Sequence, residues 1–115
     1  MVQNSDTKRD LFPGALEMMI LQSLQRMPMH GYAMVRHIQQ RSREMLQVEE
    51  GSLYPALQRL LRARLVEASW EISATNRRVR TYHITAKGRK HLATEISRFE
   101  HMFKGISFVL ADAKS

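Results

Sequence analysis

The sequence predicts a mainly α-helical fold with one small β-hairpin and a long final helix, and three observations carry that prediction. The first is residues 49–64, Glu-Glu-Gly-Ser-Leu-Tyr-Pro-Ala-Leu-Gln-Arg-Leu-Leu-Arg-Ala-Arg, where Leu53, Leu57, Leu60 and Leu61 fall on one side of an α-helix. The second is a change of period from 3.6 to 2 directly after that stretch, where Val66, Ala68 and Trp70 alternate with Glu67, Ser69 and Glu71. The third is the series Leu92, Ile96, Phe99, Phe103, Ile106 and Leu110, spaced 4, 3, 4, 3 and 4.

Taken in order, residues 1–10 are polar and aperiodic and read as a flexible N-terminal arm whose Lys8 and Arg9 could touch a polyanion. Residues 11–85 form the folded domain and residues 86–115 a C-terminal helix. The first helix runs from Pro13, which suits an early helical position, to Arg26, with Leu16, Met19, Ile20 and Leu24 on its core face. Pro28 and Gly31 break the chain within Met27-Pro28-Met29-His30-Gly31. The second helix extends from Tyr32 to about Arg43, with Tyr32, Val35 and Ile38 inward and Arg36, Gln39, Gln40 and Arg43 outward. Leu46-Gln47-Val48 is a short connection or a brief strand.

The third helix begins near Ser52, a good N-cap, with Pro55 tolerated only in the first turn. Its start is uncertain by two or three residues because Pro55 disfavours a helical Tyr54. It ends near Ala63, since Arg64 would project onto the apolar face. Opposite its leucines it displays Tyr54, Gln58 and Arg62 at i, i+4 and i+8, flanked by Pro55 and Arg59. An aromatic hydroxyl, an amide and guanidiniums are groups that reach base edges and phosphates in a major groove. An amphipathic helix with a solvated basic face has the same pattern.

Val66–Glu71 and Val79–Ile84 then read as two strands around the polar turn of residues 72–77, with Trp70 and Ile84 expected to pack on the helices. Asn76, Arg77 and Arg78 stand at the tip and Arg80 just inside. Three helices followed by a basic hairpin make a winged helix-turn-helix. Thr85 caps a last helix from Ala86 to about Ala111. Leu92, Ile96, Phe99, Phe103, Ile106 and Leu110 form a heptad seam along it, expected to be the dimer interface, because the small three-helix core is already closed. Gly105 within this helix marks a bend or a close approach.

Composition narrows the function. The formal net charge is +7, and from Arg59 to Lys90 nine Lys and Arg residues face only Glu67 and Glu71. Such one-sided clustering points to a nucleic acid. There are no cysteines, which excludes a disulfide framework, a thiolate metal site and a Cys nucleophile and fits a reducing cytoplasm. No apolar run approaches the roughly 18–20 residues of a membrane span, and the N-terminus has no signal-peptide core. Asp occurs only at 6, 10 and 112, and the glutamates form no acid/base pair. The histidines at 30, 37, 83, 91 and 101 lack HxxxH or HxH spacing. No enzyme, metal or cofactor is expected. The competing class is a winged helix that binds RNA or docks a protein without operator specificity.

Glu50-Gly51-Ser52-Leu53-Tyr54-Pro55-Ala56-Leu57-Gln58-Arg59-Leu60 resembles the recognition-helix signature of the PadR family of bacterial transcriptional regulators. So do Gly14-Ala15-Leu16-Glu17 and His30-Gly31-Tyr32, while Arg78 to Gly88 resembles the family's second wing strand and the start of its last helix. The resemblance spans about residues 11 to 110. It implies a homodimeric repressor with the third helix in the major groove of a palindromic double-stranded operator and the wing along the minor groove or phosphates. By position, Ser52, Tyr54, Pro55, Gln58 and Arg59 correspond to the recognition-helix motif and Asn76, Arg77, Arg78 and Arg80 to the wing, while Arg62 joins the helix set by its spacing from Tyr54 and Gln58. The single C-terminal helix is similar to the compact branch of the family. Some compact members stack drugs on a Trp of the last helix; the one Trp here is Trp70, in the wing, a departure from that pattern. A small-molecule effector, where one exists, would change the angle between the two wings through the final helices.

Overall fold

The structure is a computed structural model and describes residues 14–112 of the chain. Its elements are α1 (Ala15–Arg26), β1 (Met29–His30), α2 (Gly31–Arg41), α3 (Glu50–Arg62), β2 (Val66–Ile72), β3 (Arg78–Ile84) and α4 (Ala86–Asp112). The N-terminal arm and Pro13 lie outside the described residues.

One apolar core joins every helix. Leu16, Ile20, Leu21 and Leu24 of α1 meet Met34 and Ile38 of α2, Leu53, Ala56, Leu57 and Leu60 of α3, and Leu92 of α4. Val48 is buried in the same core although residues 46–48 form no strand. Gly14 opens α1 in the left-handed region (φ 84°), which glycine adopts without the penalty a Cβ imposes.

In α2 the inward stripe is Gly31, Met34 and Ile38, at i, i+3 and i+7. Tyr32, expected inward, is instead 55% exposed. It stands two residues from Met34, about 200° around the helix, so the two cannot both face the core. The helix ends at Arg41, short of the expected Arg43, because Arg43 and Glu44 take positive φ. Their amides donate to the carbonyls of Gln40 (3.0 Å) and Gln39 (2.9 Å), which satisfies the last turn.

The third helix also starts earlier than expected. Glu49 is its cap and Ser52 its third residue, with the Ser52 and Leu53 amides both donating to the Glu49 carbonyl. Ser52 is therefore not the N-cap, and Pro55 lies inside the helix. The ring stands on the exposed side, where the missing amide costs least. At the other end the expected stop holds. Arg64 has φ 62°, its amide reaches the Leu61 carbonyl, and the Leu65 amide reaches that of Leu60, both at 3.0 Å.

The hairpin pairs Val66 with Ile84 through to Ile72 with Arg78. Its five-residue loop closes with Asn76 at φ 64° and the Ser73 amide donating to the Arg77 carbonyl at 2.8 Å. The sheet has a third strand that the periodicity could not show: β1 pairs with β3, giving the order β1-β3-β2. Met29 opposes Tyr82 and His30 opposes Thr81. Two residues are too few to carry a period, yet they tie the wing to the α1–α2 junction. Near the helices, Val66 and Tyr82 enter the core and Ile84 packs against it. Trp70, expected to pack on the helices, is 59% exposed. It lies one same-face pair beyond Ala68–Tyr82, past the reach of the helical layer.

Thr85 caps α4 as expected, its hydroxyl accepting from the Gly88 amide at 2.9 Å and donating to the Arg64 carbonyl at 2.9 Å. A Cβ on Gly88 would collide with the Leu65 carbonyl, so glycine is what lets α4 start against the end of α3. The 27 residues of α4 span about 40 Å. Its first half packs on α1 while its second half projects, consistent with overall extents of 59 × 37 × 24 Å.

Candidate nucleic-acid interface

Burying Leu53, Ala56, Leu57 and Leu60 leaves Tyr54, Pro55, Gln58, Arg59 and Arg62 exposed along the other side of α3, with Ser52 half-buried. These residues do not all have the same freedom. The Tyr54 ring lies against Gly31, close enough that a Cβ there would stand 2.5 Å from the Tyr54 hydroxyl oxygen. The Arg59 Nε donates to Glu17 Oε2 of α1 at 2.7 Å. Arg59 is thus turned toward α1 with its charge compensated, whereas Gln58 and Arg62 stand open.

Asn76, Arg77, Arg78 and Arg80 are all exposed on the wing. The Arg78 guanidinium lies 4.6 Å from the centroid of the Trp70 ring, and that of Arg80 lies 5.9 Å from Trp70 and 5.9 Å from Tyr82. The sequence reading missed this cluster. Its signal was the cross-strand register: once Trp70 faces Arg80, Ile72 must face Arg78, and all four share one side. Tyr82, at the base of the wing, is buried in the core. Burial pushes its phenol above the ordinary range, Arg80 works against that, and the nearby Tyr54 adds to it.

The opposite side of the hairpin holds Ser69, Glu71, Thr81 and His83. Ser69 Oγ lies 3.2 Å from His83 Nε2, Thr81 Oγ1 donates to Glu71 Oε1 at 3.1 Å, and Glu71 Oε2 stands 4.0 Å from the same His83 nitrogen. A hydrolytic triad needs its acid on the other ring nitrogen, so this cluster does not activate the serine. Among the described residues no three His, Asp or Glu side chains converge as a metal site. Between α1 and α2 a cleft of about 220 Å³ is lined in part by Arg26, His37 and Arg41. Burial, then the charges of Arg26 and Arg41, hold the His37 imidazole below its ordinary pKa.

The seam on α4 is divided. Leu92 is 1% exposed in the core of its own domain and Ile96 packs against that core. Leu92 is therefore closed off from any partner, contrary to the expectation for the seam. Phe99 is half-buried and stacks on Phe103 at 6.2 Å between centroids. Phe103, Ile106 and Leu110 are exposed, and so are Met102 and Val109 beside them, which the heptad reading left out.

Residues 20–94 match the family described as the transcriptional regulator PadR-like family. The chain is similar to a transcriptional regulator from Clostridium thermocellum, 25% identical, with a TM-score of 0.76 over 83% of this chain and 92% of that one. It is also similar to a PadR-like transcriptional regulator from Bacillus cereus, 26% identical, with a TM-score of 0.72 over 85% and 93%. A PadR family regulator from Eggerthella lenta gives a TM-score of 0.77 at 25% identity, over 93% and 91%. Each shares the winged-helix layout with a C-terminal helix.

Proposed function

Because the chain belongs to the PadR-like family of transcriptional regulators, we propose that it acts as a homodimeric, sequence-specific repressor that binds a palindromic double-stranded operator. One observation carries the DNA-binding part: α3 exposes Tyr54, Gln58 and Arg62 opposite its buried leucines, and the wing exposes Asn76, Arg77, Arg78 and Arg80. On this reading Tyr54 and Gln58 contact bases or set the helix in the groove, with Ser52 and Pro55 at its entry. Arg62, Arg77, Arg78 and Arg80 neutralise phosphates, and Asn76 sits at the tip of the wing. Arg59 is engaged by Glu17 of α1 in place of reading a base.

The exposed Phe103, Ile106 and Leu110, widened by Met102 and Val109, support a second copy as the partner of α4. That is too much apolar surface to leave in water on so small a domain. Ile96 and Phe99 stand at the inner edge of the interface and Leu92 outside it. Two recognition helices would then reach successive major grooves about 34–36 Å apart. Bound at a promoter in the cytoplasm, the dimer would exclude polymerase, and a small-molecule effector would act by changing the angle between the α4 helices. Among the described residues no helix is long and apolar enough to cross a membrane.

Fluorescence anisotropy on the chain's own upstream DNA, against a shuffled duplex and across a salt series, tests the proposal. Tight binding confined to the native fragment and surviving moderate salt is expected. Equal and steeply salt-dependent binding to both duplexes would leave only the phosphate interaction. Preference for single-stranded RNA in competition would favour the RNA-binding alternative.

A further inference from the structure

Trp70 is the only tryptophan of the chain and stands largely in solvent on the outer part of β2. The core does not need it there. Its ring instead receives two guanidiniums, Arg78 at 4.6 Å and Arg80 at 5.9 Å. The register explains the grouping: Arg80 is directly across from Trp70, and Arg78 is across from Ile72, one diagonal step away on the same side. Two arginines two residues apart on one strand repel each other, and each side chain has many rotamers. A ring that both guanidiniums face offsets part of the repulsion through its negative face and restricts their rotamers. The carboxylate that could neutralise them, Glu71, points to the other side of the hairpin and is held by Thr81.

We propose that Trp70 is a positioning residue of the wing: it pre-orders Arg78 and Arg80 as a pair whose free N–H edges take phosphate oxygens of duplex DNA. This rests on the DNA-binding reading above and adds to it a role for a residue outside both basic motifs. A stacked guanidinium keeps its in-plane donors available, because the ring occupies only its face. Ordering both arginines before contact removes an entropic cost from binding.

The test uses the full-length protein and a mixed-sequence duplex of about 30 base pairs, long enough for two grooves one turn apart. Affinity is measured across a salt series for wild type, Trp70→Ala, Trp70→Tyr, Arg78→Ala/Arg80→Ala and the triple variant. Trp70→Ala is expected to weaken binding about two- to fivefold and to flatten the salt slope by about one, with Trp70→Tyr restoring most of both. In the background lacking both arginines, Trp70→Ala should have no further effect. Wild-type tryptophan fluorescence should change when the duplex is added. Circular dichroism confirms that each variant is folded, as expected for an exposed residue. A folded Trp70→Ala protein with wild-type affinity and slope overturns the inference while leaving DNA binding intact. An equal loss in the arginine-free background also overturns it, since Trp70 would then touch DNA itself. If the wild type binds no duplex at all, the DNA-binding reading fails and takes this role with it.

Discussion

The Tyr54 hydroxyl lies where a side chain on Gly31 would have to be, with 2.5 Å between that oxygen and a Cβ built on the glycine. This contact joins the first residue of α2 to the exposed face of α3, and it explains why His30-Gly31-Tyr32 and Leu53-Tyr54-Pro55 work as one unit. The glycine is needed for clearance: its φ is not in the left-handed region. Gly31→Ala should displace the Tyr54 ring and cost about 1–3 kcal/mol in chemical denaturation. Adding Tyr54→Ala to that variant should recover part of the loss. Strictly additive costs in the double variant would show that the two residues do not interact. Tyr54→Ala alone should reduce discrimination between operator and shuffled DNA by about 1–3 kcal/mol.

Arg59 belongs to the recognition-helix motif but is paired with Glu17, so its charge is not fully available to a phosphate. Both side chains reach solvent, and such a pair contributes at most about 1 kcal/mol to stability. Glu17→Gln should therefore leave thermal unfolding nearly unchanged and strengthen binding to any duplex at low salt. Arg77→Ala, on an exposed cation with no ion pair among the described residues, should flatten the salt slope by about one, more than Arg59→Ala does. Identical slopes for the two arginine variants would mean that Glu17 releases Arg59 on binding.

The two ends of the α4 seam should respond differently to the same kind of change. Leu92→Ala empties a core position and should cost about 2–5 kcal/mol of folding stability. Phe103→Glu places a charge on an exposed site, so the domain should stay folded by circular dichroism while the dimer dissociates in analytical ultracentrifugation. A Phe103→Glu protein with wild-type sedimentation at every concentration would rule out this part of α4 as the interface.

His37 makes stability depend on pH below neutrality. Burial and the charges of Arg26 and Arg41 lower its pKa in the folded state below the ordinary 6.5. The unfolded chain then binds this proton more readily than the folded one, so acidification favours unfolding. Stability should be fully present above pH 6.5 and decline as pH falls through the lowered folded pKa. A His37→Gln variant should show a flatter dependence of thermal midpoint on pH over that range. The charged groups facing His37 from α1 and α2 are Arg26 and Arg41.

The order of the four helices and of the two hairpin strands, the amphipathic faces of α1 and α3, the stop at Arg64 and the Thr85 cap were all legible in the sequence. Each of these rests on local chemistry: a repeat of 3.6 or 2, a side chain that caps, or an arginine that cannot continue an apolar face. The tertiary structure alone decided where Tyr32, Trp70, Arg59 and Leu92 point. A residue at the edge of a helical stripe, such as Tyr32, turns in or out according to which neighbour, here Met34, takes the core position. Trp70 looked like core because it is large and apolar, but its depth depends on how far the hairpin outruns the helices. Leu92 and Leu110 occupy the same seam by spacing, and only the docking of α4 on α1 separates the buried end from the open one. β1 was invisible for a related reason, since two residues become a strand only when β3 is beside them to complete their hydrogen bonds.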